Sequence, residues 1–126
     1  PMRAPVGLVV DDEPMIRAVF SEALRRVGIQ VIEAATAGNA LELAQATPPD
    51  FVITDIQMPG GDGIELCRTL RSDPALSRVR IVVVSGMAAA QRAAAVAAGC
   101  DAVLEKPCPP AVLVATIRRL LALGIP

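Results

Sequence analysis

The sequence predicts an α/β fold in which a five-stranded parallel sheet has helices on both faces. Apolar runs and helical patterns alternate five times along the 126 residues, which is the order expected for strands joined by helical crossovers. The apolar runs are continuous, as is typical of parallel strands that are buried on both faces. The predicted strands comprise residues 7–10, 29–34, 51–54, 81–84 and 102–105.

Apolar side chains at helical spacing predict five helices. The first is the clearest, because Pro14 suits its first turn and Gly28 its C-terminal end. Its predicted inward side chains are Ile16, Val19, Phe20, Ala23, Leu24 and Val27. The next three helices are predicted at residues 39–46, 62–71 and 88–98, and Pro109-Pro110 opens the fifth. The predicted inward residues of the third and fifth helices are Ile64, Cys67, Leu70, Leu113, Ile117, Leu120 and Leu121.

Composition narrows the functional classes. The net charge is −1, which gives no reason to expect direct nucleic-acid binding. Although 53% of the residues are hydrophobic, no apolar run approaches the ~20 residues of a membrane span. The N-terminus lacks the apolar segment of a signal peptide. We therefore expect a single cytoplasmic domain over residues 1–126, with a core at about residues 6–121.

Cysteine usage and the absence of histidine bear on metal and redox chemistry. Cys67, Cys100 and Cys108 are odd in number and form no CxxC motif, and the chain contains no histidine. This pattern argues against a zinc site and favours a reduced environment. The inward position of Cys67 predicts that it packs in the core.

Polar residues occur where four of the apolar runs end, and they are Asp11, Asp12, Asp55, Ser85 and Lys106. Because the carboxyl ends of parallel strands share one edge, we expect these side chains to converge there. Carboxylates, with phosphate oxygens and water, are the ligands that Mg²⁺ takes. A carboxylate such as Asp55, which precedes the glycine-rich segment 56–63, can act as a nucleophile toward phosphorus. Lys106 and Ser85 can neutralise and bind phosphoryl oxygens.

Each of these residues also has a simpler interpretation. Taken alone, Asp11-Asp12 is typical of a turn or helix cap, as is Ser85. Asp55 alone fits a solvated turn, and Lys106 alone fits a surface charge. The functional interpretation depends on their joint occurrence in this order.

From residue 6 to about residue 121, the chain resembles bacterial response-regulator receiver domains of the chemotaxis-regulator type. The resemblance is carried by residues 9–13, 54–63, 84–86 and 106–107, which read VVDDE, TDIQMPGGDG, VSG and KP. It implies a flavodoxin-like (βα)5 fold with strand order 2-1-3-4-5, as in chemotaxis receivers. It also implies a cis peptide bond between Lys106 and Pro107.

The resemblance implies a role for each matching residue. Asp55 would accept a phosphoryl group from a phosphohistidine, and Ser85 and Lys106 would contact that group. Asp12 would bind Mg²⁺ directly and Asp11 largely through water. Gln57 would offer its backbone carbonyl to the metal, of which Asp55 would be a further ligand.

At the level of the whole domain, the resemblance implies a switch in a two-component or phosphorelay system that catalyses only its own phosphorylation and dephosphorylation. The expected cofactor is Mg²⁺ alone. The expected partners are a sensor histidine kinase or histidine phosphotransfer protein and a downstream protein or output domain, with a homodimer possible and no membrane partner.

One position departs from the family pattern, since Val103 occupies the place of a common Tyr or Phe. Output by rotation of an aromatic ring is therefore not expected.

Three alternative functions can be compared with this one. A pseudo-receiver that serves only as an interaction module usually lacks an acid or the lysine, and both are present here. An aspartate-nucleophile phosphatase typically has a second aspartate two residues after the first, where this chain has Gln57. Flavin binding shares only the fold, and the two aromatic residues, Phe20 and Phe51, offer little to hold a flavin ring.

Overall fold

In the computed structural model, which describes residues 3–59, 61–86 and 89–124, five strands alternate with five helices. The strands are β1 (Val6–Val10), β2 (Gln30–Ala34), β3 (Phe51–Thr54), β4 (Arg80–Ser85) and β5 (Ala102–Glu105). The helices are α1 (Pro14–Arg26), α2 (Ala37–Ala46), α3 (Gly63–Ser72), α4 (Ala89–Ala97) and α5 (Pro110–Gly124). A short antiparallel pair, Gln57–Met58 with Gly61–Asp62, lies between β3 and α3.

The five strands form one parallel sheet in the order β2-β1-β3-β4-β5. This order is the one predicted, and it confirms a doubly wound, flavodoxin-like fold. The central strands β1, β3 and β4 are almost completely buried, whereas the edge strands β2 and β5 are only partly buried. Continuous apolar runs therefore occur where helices cover both faces.

Side chains of alternate strand residues point to opposite faces of the sheet, which creates two hydrophobic cores. One core joins strand residues such as Leu8, Val52 and Val83 to buried side chains of α2, α3 and α4. The other joins Val9, Ile53 and neighbouring strand residues to the buried side chains of α1 and α5. The two cores hold the strand ends, and thus the polar residues that follow them, in a fixed arrangement.

Two helix starts differ slightly from the sequence prediction because of side-chain caps. Helix α2 begins at Ala37, two residues earlier than expected, because the Thr36 hydroxyl accepts a hydrogen bond from the Asn39 amide. Asp62 caps α3 from outside the helix, since its Oδ1 accepts from the Glu65 amide at 2.7 Å. Of the predicted fourth helix, Ala88 lies outside the described residues.

The predicted inward position of Val19 is wrong. Val19 is 50% exposed, whereas Phe20 and Leu24 on the same helix are buried. It lines a groove between α1 and α5, and the short side chains of Ala111 and Ala115 also line that groove. In α5, Leu113, Ile117 and Leu120 are buried as predicted, while Leu121 is only partly buried at the margin of the core.

Cys67 is completely buried, as predicted, and its thiol donates a hydrogen bond to the Ala98 carbonyl oxygen at 3.3 Å. Burial raises the pKa of this thiol to about 11. A neutral buried thiol is a packing group rather than a nucleophile.

None of the helices in the described part of the chain has both the length and the apolar character needed to cross a membrane.

An ion pair at the amino end of β3 makes stability depend on pH. Asp50 accepts two hydrogen bonds from the Arg3 guanidinium, at 2.8 and 2.9 Å, and one from the Val6 amide at 2.7 Å. The Arg3 hydrogen bond, assisted by the Val6 amide, outweighs the effect of burial and lowers the pKa of Asp50 below its ordinary 3.8. Ionised Asp50 therefore stabilises the folded state above the ordinary pKa, and this contribution is lost as the pH falls through the lower folded-state pKa.

Replacing Asp50 by Asn should thus lower the free energy of unfolding by about 1 kcal/mol at pH 7, because a charge-assisted hydrogen bond to a partly buried amide is weakened. The difference in the free energy of unfolding between the wild type and Asp50→Asn should shrink as the pH falls below 3.8. Urea unfolding of both proteins between pH 7 and pH 3 measures this difference. A difference that is the same at every pH would contradict this account of Asp50.

Candidate functional site

The carboxyl ends of the parallel strands bring the predicted polar residues to one edge of the sheet. Asp11 directly follows β1, Asp55 directly follows β3 and Lys106 directly follows β5. Ser85 is the last residue of β4 rather than the residue after it. All four positions therefore lie at the edge where ligands bind in folds of this class.

Three carboxylates form a tight cluster at this edge. One carboxylate oxygen from each of Asp11, Asp12 and Asp55 lies within 4.8 Å of the others. Asp11 is 3% exposed, and Asp12 is exposed. The Lys106 ammonium donates to Asp55 Oδ2 at 2.8 Å and to Asp11 Oδ2 at 3.4 Å. The edge thus combines one buried acid, one accessible acid and one acid paired with a lysine.

Lys106 compensates only part of the negative charge. Burial alone would lower the pKa of Lys106, but the hydrogen bond to Asp55 and the charges of Asp11 and Asp55 outweigh burial and raise that pKa above its ordinary 10.5. The lysine therefore stays protonated at neutral pH. Three carboxylates and one ammonium leave a net charge of −2.

The cluster fits a hard divalent cation. The donor set is made of carboxylate oxygens, which Mg²⁺ prefers to nitrogen or sulfur ligands. The exposure of Asp12 leaves room for the waters that Mg²⁺ keeps. A cation of charge +2 would balance the residual charge of the four groups.

The orientation of Asp55 is set by neighbours that the sequence analysis missed. Asp55 Oδ1 accepts from the Ile56 amide at 2.6 Å, and the Thr54 hydroxyl donates to the Asp55 carbonyl oxygen at 2.8 Å. Gly63 lies against that same carbonyl, because a Cβ atom at Gly63 would be 2.0 Å from the oxygen. For Thr54, the signal in the sequence was a hydroxyl side chain at the end of an otherwise apolar strand.

Of the remaining predicted residues, Ser85 ends β4 and Gln57 lies two residues after Asp55. Ser85 is 6% exposed, and its carbonyl oxygen accepts from the Lys106 amide at 3.3 Å. Gln57 is exposed and pairs with Asp62 in the short antiparallel ladder. The Lys106-Pro107 bond is cis, as expected. Within the glycine-rich segment 56–63, Gly60 lies outside the described residues.

Comparison with known proteins identifies the family. The family model of the response regulator receiver domain matches residues 8–118. The response regulator Rre1 of Synechocystis is 38% identical over 125 residues, which cover 96% of this chain and 54% of Rre1. The KDP operon transcriptional regulatory protein KdpE of Escherichia coli is 40% identical over 101 residues, covering 79% of this chain and 44% of KdpE.

Solved structures agree with the sequence comparison. A putative response regulator from Chloroflexus aurantiacus superposes with a TM-score of 0.90 at 30% identity, covering 95% of this chain and 99% of the other. The chemotaxis response regulator CheY4 of Vibrio cholerae gives a TM-score of 0.88 at 28% identity, covering 94% and 99% of the two chains. The first curated relatives are longer, and this chain spans between 13% and 48% of their length. The chain belongs to the response-regulator receiver domain family.

Proposed function

We propose that this chain is a phosphoacceptor domain in which Asp55 takes a phosphoryl group from a phosphohistidine in a Mg²⁺-dependent reaction. The observation that carries the proposal is the contact of Asp55 with Lys106, together with the position of the Asp11 and Asp12 carboxylates within 4.8 Å of it at the carboxyl edge of the sheet. Residues 1–126 would work as one receiver domain with a core at about residues 6–121. Like other receivers it would be a signalling domain that promotes only its own phosphorylation and dephosphorylation.

In the reaction, a carboxylate oxygen of Asp55 forms a phosphorus–oxygen bond while the phosphorus–nitrogen bond of the donor phosphohistidine breaks. The bonding electrons leave with the imidazole nitrogen. The Ile56 amide, which donates to Asp55 Oδ1, fixes the plane of the attacking carboxylate. Such positioning is a large part of catalysis in phosphoryl transfer.

Lys106 and Ser85 would receive the incoming phosphoryl group. The Lys106 ammonium already lies 2.8 Å from Asp55, so a short movement would let it form an ion pair with a phosphoryl oxygen. The Ser85 hydroxyl, at the end of the neighbouring strand, would donate a second hydrogen bond. Mg²⁺ would supply the remaining neutralisation of charge on the phosphoryl oxygens.

Asp12, Asp55 and the Gln57 carbonyl oxygen would hold the cation directly, and Asp11 would act through water. The environments of the two adjacent acids support this division. Asp11 Oδ1 accepts from the Glu13 amide at 2.9 Å and its Oδ2 contacts Lys106. The Asp12 carboxylate makes no hydrogen bond within the described residues and is exposed, so it remains available as a ligand.

The partners follow from the chemistry and from the names of the relatives. A phosphohistidine must come from a sensor histidine kinase or a histidine phosphotransfer protein, since this chain contains no histidine. Several relatives are named transcriptional regulators and extend well beyond the matched segment. We infer that phosphorylation changes the interaction of this domain with an output domain or a separate downstream protein in the cytoplasm.

The direct test is incubation of the protein with a small phosphodonor and Mg²⁺, followed by intact mass measurement. Uptake of one phosphoryl group that requires Mg²⁺ is the expected result. Absence of uptake with phosphodonor and with a phosphorylated histidine protein would instead favour an interaction module that is never phosphorylated.

Metal affinity should distinguish the two adjacent acids. Asp11→Ala should weaken Mg²⁺ binding about tenfold, as for partners outside the direct ligand set, and Asp12→Ala should weaken it more because a direct ligand is lost. Titration of the unphosphorylated proteins with Mg²⁺, followed by amide chemical shifts, measures both. Equal losses would overturn the assignment of Asp12 as the direct ligand.

A further inference from the structure

Asp12 differs from Asp11 and Asp55, the other two acids of the cluster, because no neighbouring group among the described residues holds its carboxylate. Its carboxylate is exposed and makes no hydrogen bond in the part of the chain that the structure describes. The direction of its Cα–Cβ bond is set by the backbone on either side, between the end of β1 and the start of α1. A residue that fixes this backbone therefore limits the positions that the Asp12 oxygens can reach.

Arg17 contacts the carbonyl groups on both sides of Asp12. Its Nη1 donates to the Asp11 carbonyl oxygen at 2.7 Å, and its backbone amide donates to the Glu13 carbonyl oxygen at 3.0 Å. On the amino side, the Asp11 amide donates to the Ala34 carbonyl oxygen at 3.1 Å. The backbone that carries Asp12 is thus tied to the second turn of α1 and to β2.

Glu33 on β2 holds the Arg17 side chain in place. Arg17 Nε donates to Glu33 Oε1 at 3.2 Å, and both side chains are largely removed from water, at 20% and 32% exposure. Because the guanidinium is a planar fork, its separate donors can bind a carboxylate and a carbonyl at the same time. The Glu33 carboxylate also pairs with Arg25 at 3.4 Å, so it is held from a second side while it offsets the charge of Arg17.

We propose that Arg17, held by Glu33, is a positioning residue that presents Asp12 to the cation. This inference rests on the Mg²⁺ site of the proposed function. Two physical effects of removing Arg17 have opposite signs, which makes the inference decidable. Loss of a positive charge near three carboxylates would by itself strengthen cation binding, whereas loss of the side-chain link from Glu33 through Arg17 to the Asp11 carbonyl would weaken it.

The experiment is a Mg²⁺ titration of the unphosphorylated protein, followed by the amide chemical shift of Asp12. Arg17→Gln should weaken Mg²⁺ binding about fivefold, somewhat below the range for groups bonded directly to a metal ligand. Arg17→Lys should recover part of the affinity. An ammonium can bind either the Glu33 carboxylate or the Asp11 carbonyl, but it lacks the planar fork that binds both. The matched control is Arg26→Gln on the same helix. Arg26 pairs with Glu22, which is exposed and remote from the site. The Mg²⁺ affinity of this control should equal that of the wild type.

Unfolding midpoints without Mg²⁺ are measured alongside, because a purely structural role would change stability but leave the affinity of the folded protein unaltered. Wild-type or tighter Mg²⁺ binding in folded Arg17→Gln would overturn the proposal. If that variant does not fold, Arg17→Lys takes its place, and its expected loss is about twofold. Absence of Mg²⁺ binding in the wild type would instead overturn the proposed function itself.

Discussion

Asp55→Asn is expected to abolish phosphoryl uptake. The asparagine amide keeps the size of the side chain, and its carbonyl oxygen can still accept from the Ile56 amide. It offers no anionic oxygen for attack on phosphorus, and its NH₂ group would face the Lys106 ammonium, another donor. Because Asp11 also contacts Lys106, the lysine keeps one partner and the edge of the sheet should remain folded.

The measurement is intact mass after incubation with phosphodonor and Mg²⁺. The matched control is Asp50→Asn, the same chemical change at the opposite end of β3, where the carboxylate pairs with Arg3. The control should take up one phosphoryl group at the wild-type rate. Continued uptake by Asp55→Asn would show that another residue is the acceptor and would remove the basis of the proposed mechanism.

The fold could be predicted because its signals are local. Each strand is an apolar run of the right length, and the helix starts depend on nearby residues such as Pro14. The start of α2 was misplaced because the Thr36 cap depends on one hydroxyl meeting one amide. Val19 was wrongly assigned to the core because helical spacing gives a direction but not the size of the opposing side chains. Only the packed structure shows that Val19 lines the groove between α1 and α5 together with small side chains such as Ala111 and Ala115.

The site was predictable to the extent that it depends on strand ends. Asp11, Asp55 and Lys106 meet because parallel strands finish at the same edge, a rule that needs no three-dimensional detail. The groups that orient them were not predicted, because their contacts join segments that are distant in sequence or depend on backbone geometry. Arg17 reaches the Asp11 carbonyl across the loop, and Gly63 reaches Asp55 from the start of α3.

Gly63→Ala is expected to damage both stability and phosphorylation. The added methyl carbon would lie 2.0 Å from the Asp55 carbonyl oxygen and 3.1 Å from the Thr54 hydroxyl oxygen. The Asp55 carbonyl and the Thr54 hydroxyl cannot move away easily, because they are hydrogen-bonded to each other and the backbone on either side is also held. The Gly63 amide is hydrogen-bonded to the Ile56 carbonyl at 2.8 Å, and the Asp55 amide donates to the Val10 carbonyl at 3.3 Å. The start of α3 and the end of β3 would have to separate, at a cost of about 1–3 kcal/mol for a well-packed interior.

The matched control for Gly63→Ala is Gly38→Ala, an exposed glycine in the first turn of α2 with open space around its Cβ position. Alanine there should leave stability unchanged or raise it by about 0.5 kcal/mol, because glycine is the weaker helix former. Urea unfolding gives the two stabilities, and intact mass over time gives the uptake rates under conditions where both variants are folded. Folded Gly63→Ala should take up the phosphoryl group more slowly than the control, because the backbone that carries the Asp55 carboxylate is displaced from Lys106 and from the carboxylates of Asp11 and Asp12. Equal stability and equal uptake in the two variants would contradict the role assigned to this close backbone approach.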